Sequence, residues 1–316
     1  MYPEGTLAHF LTAVWLPAIR PTIRESSWTG YEHYVRNQIV PRLGRIKLED
    51  IGAAELDAFY SELLVSGRLG GKGGLSPSTV RGIHATLHRA FRDGVRWGLL
   101  YENPADRSHP PHPPTASGSM QVWSSNELAS FLRFAQPRPL YPVWHLLAMT
   151  GMRKCEVLGL RWEDVNLEIS ELAVRQTVIW ADGKVSFSSP RAAKSCRAIA
   201  IDHRTVEVLH DLKTKSGEAD GLLFSRNHGE PLDPNLVTRA FRNLVRLSGL
   251  PRIRLHDLRH THAVLALNAG VHPKIVSERL GHANVTTTLR VYSNSIACHQ
   301  AEATKVLSDL VLEDRS

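Results

Sequence analysis

Arginine and histidine residues between positions 254 and 270 are spaced in a way that suits work on a negatively charged group. If this segment, RLHDLRHTHAVLALNAG, forms a helix, His256, Arg259 and His260 project within about a third of a turn of one another, and His262 points away. An arginine beside a histidine on one helix face makes an anion site with a proton donor or acceptor next to it. Histidines on the helix surface, or hydrogen-bonded in the core, would give the same pattern, so this segment alone does not decide between them.

A metal site is the other chemistry that His256 and His260 could support, because they are four residues apart. A zinc-protease helix needs a glutamate directly after the first histidine, and this sequence has Asp257 there. We therefore expect no metal at these histidines.

Further reactive residues lie on both sides of this segment. Upstream, the sequence TGMRKCEVLGLRWEDV contains Arg153 and, three residues later, Glu156. Downstream, the sequence ERLGHANVTTTLRVYS contains His282 and, ten residues later, Tyr292. In chain order, these blocks supply an arginine, a basic residue in a hairpin region, a histidine, a second arginine, a second histidine and a late tyrosine, which together suit phosphoryl transfer.

These blocks resemble those of the tyrosine recombinases of the phage-integrase type. The matching segments are TGMRKCEVLGLRW, HDLRHTHAVLALNAGVHPKIVSERLGH and TTTLRVYS. The resemblance is specific, because several motifs recur in the order and spacing of the family, and it covers residues 120–297 closely and residues 7–107 more loosely. It implies a site-specific DNA recombinase that cleaves and rejoins DNA strands through a 3′-phosphotyrosyl intermediate, mediating integration or excision.

The resemblance also implies a role for each candidate residue. Tyr292 is the nucleophile, and its covalent link to the DNA phosphate conserves bond energy for rejoining. Arg153 and Arg259 hold the non-bridging phosphate oxygens, since guanidinium stays charged and offers paired donors. His256 hydrogen-bonds the phosphate and helps to take the tyrosine proton, and His282 donates a further hydrogen bond.

Glu156 is expected to support this site by orienting a neighbour, because it lies one helical turn from Arg153. The two arginines supply the positive charge that a metal would supply elsewhere. This interpretation therefore implies no metal and no other cofactor.

One motif departs from the family pattern. Family members usually have a Pro-Lys-Thr type of loop before the third strand, and that lysine protonates the leaving oxygen. Aligned without gaps, the lysine position is Arg191 here, and Lys194 lies three residues later. Arginine is the poorer acid, because its pKa exceeds that of lysine by about 2–3 units. We predict Lys194 as the general acid, with Arg191 as the alternative.

The fold expected to position these residues is mainly α-helical, with a small antiparallel β-sheet in the C-terminal domain. The resemblance implies an integrase catalytic fold preceded by a helical core-binding domain of the SAM-like type. Strands are predicted over 171–180 and 184–188, around an Ala181-Asp182-Gly183 turn, and over 197–201. Helices are predicted over 139–151, 203–216, 234–249, about 256–269 and 272–281.

In the N-terminal domain, the clearest helix spans residues 79–100 and starts near Ser76 and Pro77. Its apolar face consists of Val80, Ile83, Leu87, Phe91 and Val95. The neighbouring face is basic and is either a solvated surface or a surface that lies along DNA phosphates. The residues predicted to bind DNA are Arg81, Arg89, Arg92 and Arg96.

Domain boundaries follow from a proline-rich stretch at 103–119, which has five prolines and no hydrophobic periodicity. We predict a core-binding domain over 1–107, a linker over 108–119, a catalytic domain over 120–297 and a tail helix over 298–316. The core-binding domain starts almost at Met1, so we expect the additional arm-binding domain of many phage integrases to be absent or removed.

Composition narrows the class of protein. The 316 residues include 38 Lys and Arg against 31 Asp and Glu, a net charge of +7 that permits nucleic-acid binding. Three cysteines are too few for a disulfide framework, and neither a secretory signal nor an apolar run long enough to span a membrane is present. We expect a protein of the bacterial cytoplasm or nucleoid.

The expected partner is double-stranded DNA, bound by a homotetramer during synapsis, with accessory DNA-bending proteins in addition. The apolar stripe of the tail is expected to dock on the neighbouring protomer, as in the family, and consists of Val306, Leu307, Leu310 and Val311. Two alternatives remain at this point: an activity of the type IB topoisomerase kind, and a catalytically weakened relative that binds DNA without cutting it.

Overall fold

The computed structural model describes residues 2–70, 73–112, 121–181, 184–188, 196–216, 220–226, 229–282, 284–286 and 288–289. Several predicted features lie outside these residues: Arg191, Lys194, Tyr292, the tail helix, the Asp182-Gly183 part of the hairpin turn and the linker residues 113–119. The contacts within the chain divide it into two compact units, Met1–Ser119 and Met120–Ser316, and each unit has its own hydrophobic core.

The first unit is mainly helical. Its α-helices are α1 (Leu7–His9), α2 (Leu16–Ile19), α3 (Glu25–Tyr34), α4 (Val40–Leu43), α5 (Ala53–Ser66) and α6 (Pro77–Arg96). Short 3-10 turns lie at Arg20–Thr22, Leu48–Asp50 and Pro104–Arg107.

Two π-helical segments, Phe10–Trp15 and Val35–Ile39, interrupt the α-helical runs of this unit. Each segment ends two residues before a proline, which is Pro17 in α2 and Pro41 in α4. Proline has no N–H to donate to the preceding turn, and its ring crowds the carbonyl there. A wider turn ahead of the proline therefore allows each helix to continue.

Helix α6 follows its predicted pattern. Ser76 accepts a hydrogen bond from the N–H of Thr79 at 3.1 Å, and Pro77 occupies the first turn, as predicted. Four of the five predicted apolar residues are fully buried: Val80, Ile83, Leu87 and Phe91. The helix ends at Arg96 rather than at residue 100, so Val95 lies in its last turn and is only half-buried.

The described residues of the second unit form α7 (Ser125–Ala135), α8 (Tyr141–Thr150), α9 (Lys154–Val157), α10 (His203–Ser216), α11 (Pro234–Ser248), α12 (Asp257–Asn268) and α13 (Pro273–Leu280). The bounds of α8 and of α10 to α13 were predicted, and each of these helices begins and ends within two residues of its predicted position. Ser124 and Glu127 cap α7 reciprocally, since the Ser124 hydroxyl accepts from the Glu127 N–H at 3.3 Å and the Glu127 carboxylate accepts from the Ser124 N–H at 2.7 Å.

The strands are antiparallel, as predicted, and among the described residues they form two small sheets where one was expected. They are β1 (Val165–Asn166), β2 (Glu171–Val174), β3 (Thr177–Ala181), β4 (Lys184–Ser188) and β5 (Arg197–Ala200). One sheet has the order β1-β2-β5, and β3 and β4 form a separate hairpin. The predicted strand over 171–180 is interrupted at Gln176, whose side-chain amide donates to the Gly159 carbonyl at 2.9 Å and anchors the break between the sheets.

Aromatic side chains fill the core of the second unit. Trp123, Phe131, Trp144 and Phe241 are buried, and their rings contact one another at centroid distances of 5.0 to 6.5 Å. These rings join α7, α8 and α11. Because α8 leads directly into the segment that carries Arg153, the aromatic core also fixes where that segment starts. Within the described ranges, no helix has the length and apolar character needed to cross a membrane.

The substitution Phe131→Ala should lower the free energy of unfolding of the second unit by about 3–5 kcal/mol, because it removes a fully buried ring from this core. Phe134→Ala on the same helix is the matched control, since Phe134 is 38% exposed. Urea denaturation followed by tryptophan fluorescence measures both variants. Equal losses in the two would show that the ring cluster does not stabilise this unit.

Candidate active site

A buried carboxylate holds the first predicted arginine. Glu156 accepts a hydrogen bond from the Arg153 N–H at 2.9 Å and another from Arg153 Nη1 at 2.8 Å, so it caps α9 and orients the side chain of the capping residue. The Glu156 side chain is only 4% exposed, whereas that of Arg153 is 43% exposed. The Arg153 guanidinium is therefore held on its buried side by Glu156, and its exposed side is accessible to a ligand.

The same carboxylate binds a second arginine that we did not predict. Arg197, the first residue of β5, donates from Nη2 to Glu156 Oε2 at 2.9 Å, and its own side chain is buried. Burial opposes ionisation of Glu156, but hydrogen bonds and charge from Arg197 and Arg153 outweigh it and lower the pKa of the carboxyl. No motif distinguished this arginine from the other arginines of the sequence.

The second predicted arginine, Arg259, lies in α12 and is buried. Its Nη1 donates to the Gly151 carbonyl at 2.7 Å. Gly151 has a φ of +66°, and a Cβ at this position would lie 2.7 Å from side-chain atoms of both His262 and Leu280. Only a glycine at position 151 lets α12 come this close to the segment after α8. Because Arg153 lies two residues after Gly151, the bond from Arg259 to the Gly151 carbonyl connects the two predicted arginines.

The histidines of α12 lie on two sides of the helix, as the sequence predicted. The rings of His256 and His260 contact each other with centroids 5.1 Å apart. Their pKa values are lowered by burial and by the charge of Arg259. His262 faces the interior, where Nδ1 contacts the Ala148 carbonyl at 2.9 Å and Nε2 accepts from Arg279 Nε at 3.3 Å. It is therefore a structural residue.

His282 joins this group from the turn after α13. Its Nδ1 lies 2.8 Å from the Thr288 hydroxyl. Burial and the positive charges of Arg259 and Arg153 lower its pKa to about 4. Burial and the charges of Arg259 and Arg153 also lower the pKa of His256. The four predicted residues Arg153, His256, Arg259 and His282 therefore lie close enough for their charges to interact.

The four arginines predicted to bind DNA in the first unit have different surroundings. Arg81 and Arg92 are exposed on α6. Arg89 is half-buried against Tyr31, with its guanidinium 5.4 Å from the ring centroid and Nη1 donating to the hydroxyl at 3.1 Å. Arg96 forms an ion pair with the buried Asp93 at 3.1 Å. Arg89 is thus engaged in packing, which its position on a basic face did not reveal.

A second basic surface lies on α11. Arg239, Arg242 and Arg246 are exposed at spacings of three and four residues, which places them on one helix face, and the helix contains no acidic residue. The sequence signal for this surface was an excess of basic residues between 234 and 277, without a specific helix face. In the part of the chain that the structure describes, no group of three or more His, Cys, Asp or Glu residues could hold a metal ion.

The comparison with protein families decides the class. Residues 123–298 match the phage integrase family, and residues 7–64 match the N-terminal SAM-like domain of phage integrases. The first match alone covers more than half of the chain. The chain belongs to the phage integrase family. As a member, it is a tyrosine-type site-specific recombinase.

Relatives of this recombinase match over nearly its whole length. The ICEBs1 integrase of Bacillus subtilis is 25% identical, over 95% of this chain and 82% of the relative. A XerC-like tyrosine recombinase of Caldanaerobacter subterraneus is 24% identical, over 98% of this chain and 85% of the relative.

Solved structures of integrases share the fold and confirm the predicted fold class. The Tn1549 transposon integrase in complex with a circular intermediate DNA has a TM-score of 0.78 at 21% identity, covering 95% of this chain and 100% of that one. The lambda integrase tetramer bound to a Holliday junction has a TM-score of 0.68 at 21% identity, covering 90% and 77%. These comparisons favour neither the topoisomerase nor the binding-only alternative.

The second unit should lose stability as the pH falls from about 6.5 to about 4. Burial lowers the pKa of His262 to about 4, so in this window the unfolded chain binds a proton that the folded chain does not. Replacing His262 by Asn should remove roughly 2 kcal/mol of this pH-dependent loss.

Thermal unfolding between pH 7.5 and 4.5 measures this effect as a shallower dependence of Tm on pH in the His262→Asn variant. His210→Asn, on the exposed surface of α10, is the control and should follow the wild type. Parallel curves for the wild type and the His262 variant would refute the prediction.

Proposed function

We propose that this chain recombines double-stranded DNA through a 3′-phosphotyrosyl intermediate, with Tyr292 as the nucleophile and Arg153 and Arg259 as the phosphate ligands. The observation that carries the proposal is the convergence of two arginines and two histidines from three separate segments of the second unit. Each arginine is fixed by a hydrogen bond, to Glu156 in one case and to the Gly151 carbonyl in the other. Donors fixed before the reaction stabilise the charge that develops on the phosphorane without reorganising during the step.

The histidines complete the proposed chemistry as neutral groups. The lowered pKa of His256 keeps its ring unprotonated near neutral pH, so it can accept the proton that Tyr292 loses on attack. His282 contacts Thr288 through Nδ1, and we assign Nε2 to a hydrogen bond with a phosphate oxygen. The tyrosine oxygen then bonds to phosphorus, and the bond from phosphorus to the 5′ oxygen breaks.

A general acid must protonate that 5′ oxygen. We assign this role to Lys194, with Arg191 as the alternative, because a lysine transfers a proton more readily than an arginine does. Both residues belong to the segment that connects β4 to β5.

For DNA binding, we propose that both units contribute basic helix faces. Arg81 and Arg92 on α6, together with the arginines of α11, would contact phosphates, so binding should weaken steeply with salt. The related structures include an integrase tetramer on a Holliday junction. We propose the same assembly here, with protomers joined through the tail at 298–316. Each protomer would have a core-binding domain at 1–107, a linker at 108–119 and a catalytic domain at 120–297. Accessory DNA-bending proteins would be its partners in the bacterial cytoplasm or nucleoid.

Covalent trapping tests the proposed nucleophile. Nicked duplexes tiled across the DNA that flanks the gene are incubated with the wild type and with Tyr292→Phe, and then run on a denaturing gel. We expect a protein–DNA adduct from the wild type only. Arg259→Ala should slow adduct formation about 100- to 1000-fold, because it removes a donor to the developing charge.

Arg246→Ala is the matched control, since it removes an exposed arginine from the same unit. It should weaken DNA binding but leave the rate at saturating DNA close to that of the wild type. An adduct formed by the Tyr292→Phe variant would exclude this nucleophile. DNA binding by the wild type without any adduct would instead support a catalytically weakened relative.

A sulfur-substituted substrate tests the general acid. Lys194→Ala should slow cleavage of ordinary DNA about 100-fold, and cleavage should recover when sulfur replaces the 5′ leaving oxygen, because a thiolate leaves without a proton. Arg191→Ala serves as the comparison. Recovery confined to the Arg191 variant would assign the acid to Arg191.

A further inference from the structure

Resting on the proposed function, we infer that Arg197 is a positioning residue for the recombination reaction. Its guanidinium contacts two segments that carry the site, the α9 turn with Arg153 and the end of α13 before His282. Its main chain begins the strand that follows the general-acid segment. The residue does not face the phosphate in this role, and it acts through the groups that do.

The contacts of Arg197 support this role. The side chain is 7% exposed. Nη2 donates to Glu156 Oε2 at 2.9 Å, and Nη1 lies 3.4 Å from Oε1. Nε donates to the carbonyl of Arg279 at 2.7 Å. One planar group therefore fixes a side chain on α9 and the main chain of α13, which a lysine ammonium could not do with the same geometry.

Gly281 shows that the fold makes room for this guanidinium. It ends α13 with a φ of +68°, and a Cβ there would lie 2.8 Å from Arg197 Nη1 and 3.0 Å from Cζ. Since His282 follows directly, the arginine packs against the main-chain turn that sets the direction of the histidine. A shift of the guanidinium toward Gly281 would therefore displace the main chain that leads into His282.

The charge balance around Glu156 is the second reason to assign a positioning role to Arg197. The buried carboxylate of Glu156 is shared between Arg153 and Arg197. Without Arg197, both oxygens of a buried anion would be left to Arg153 and the backbone N–H, and the exposed guanidinium would be drawn toward the carboxylate and away from the phosphate. The loss of Arg197 should thus appear as poorer function of Arg153.

The place of Arg197 in the sheet also connects it to the segment with the candidate general acids. Arg197 begins β5 and pairs with Val174 of β2. The candidate acids at 191 and 194 precede it by six and three residues. An arginine anchored at the first position of the strand therefore sets the point from which the general-acid segment departs.

The test is single-turnover adduct formation on the nicked duplex at saturating DNA. We expect Arg197→Gln to lower the rate about 100-fold, as displacement of a catalytic group by about 1 Å does, while the Kd for the same duplex stays nearly unchanged. Arg197→Lys should recover only part of the rate, because it restores the charge but not both contacts. Arg204→Gln is the matched control, since it removes one arginine from an exposed arginine–glutamate pair on α10.

A double-mutant cycle separates positioning from a general loss of structure. If Arg197 acts through Glu156, the double variant Glu156→Gln/Arg197→Gln is no slower than the slower single variant. This variant also replaces the buried ion pair by a neutral pair, so it keeps the test valid if Arg197→Gln alone fails to fold. Rate losses that multiply in the double variant would overturn the inference.

Each result also has a separate bearing on the proposed function. A wild type that forms no adduct contradicts the recombinase chemistry itself. A wild type that forms adduct together with a folded Arg197→Gln variant of equal rate contradicts only the role of Arg197.

Discussion

The buried carboxylate of Glu156 is the interaction on which the site depends. An ionised group with so little solvent contact is stable only when it is fully paired, and here the partners are the two guanidinium groups and a backbone N–H. The bonds that pair this carboxylate fix α9, the start of β5 and the exposed guanidinium of Arg153 relative to one another. Helix α9 has only four residues and therefore little stability of its own, so the ion pairs of Glu156 stabilise it instead of further helical hydrogen bonds.

Two left-handed glycines allow the rest of the site to approach this cluster. Gly151 admits the side chains of His262 and Leu280, and Gly281 admits the guanidinium of Arg197. In each case a main-chain carbonyl next to the crowded contact, that of Gly151 or Arg279, accepts a bond from a buried arginine. The positively charged groups are thus fixed by neutral backbone dipoles as well as by one anion, which leaves the candidate site with a net positive charge.

The sequence predicted the fold class, most helix bounds and four residues that the structure groups together, Arg153, His256, Arg259 and His282. Strong periodicity and explicit caps, such as Ser76 with Pro77, are local signals, and they placed the helices within a few residues. Two features depended on contacts between distant residues and were missed. The break between β2 and β3 is anchored by a bond from Gln176 to Gly159, and the role of Arg197 exists only once Glu156 is beside it. The same limit applies to Arg89, whose packing against Tyr31 is invisible in a basic helix face.

The separation of the β-strands into two sheets has a consequence for local stability. Among the described residues, no third strand pairs with the hairpin of β3 and β4, and an isolated two-stranded hairpin is marginally stable in water. Its described attachments to the rest of the unit are Val178, which is buried in the core, Val185, which packs against that core, and the Gln176 bond beside it. The free energy of opening this hairpin should therefore be lower than that of unfolding the unit. Such an opening would leave the β1-β2-β5 sheet and the aromatic core folded, so the hairpin is a local folding unit inside the second unit.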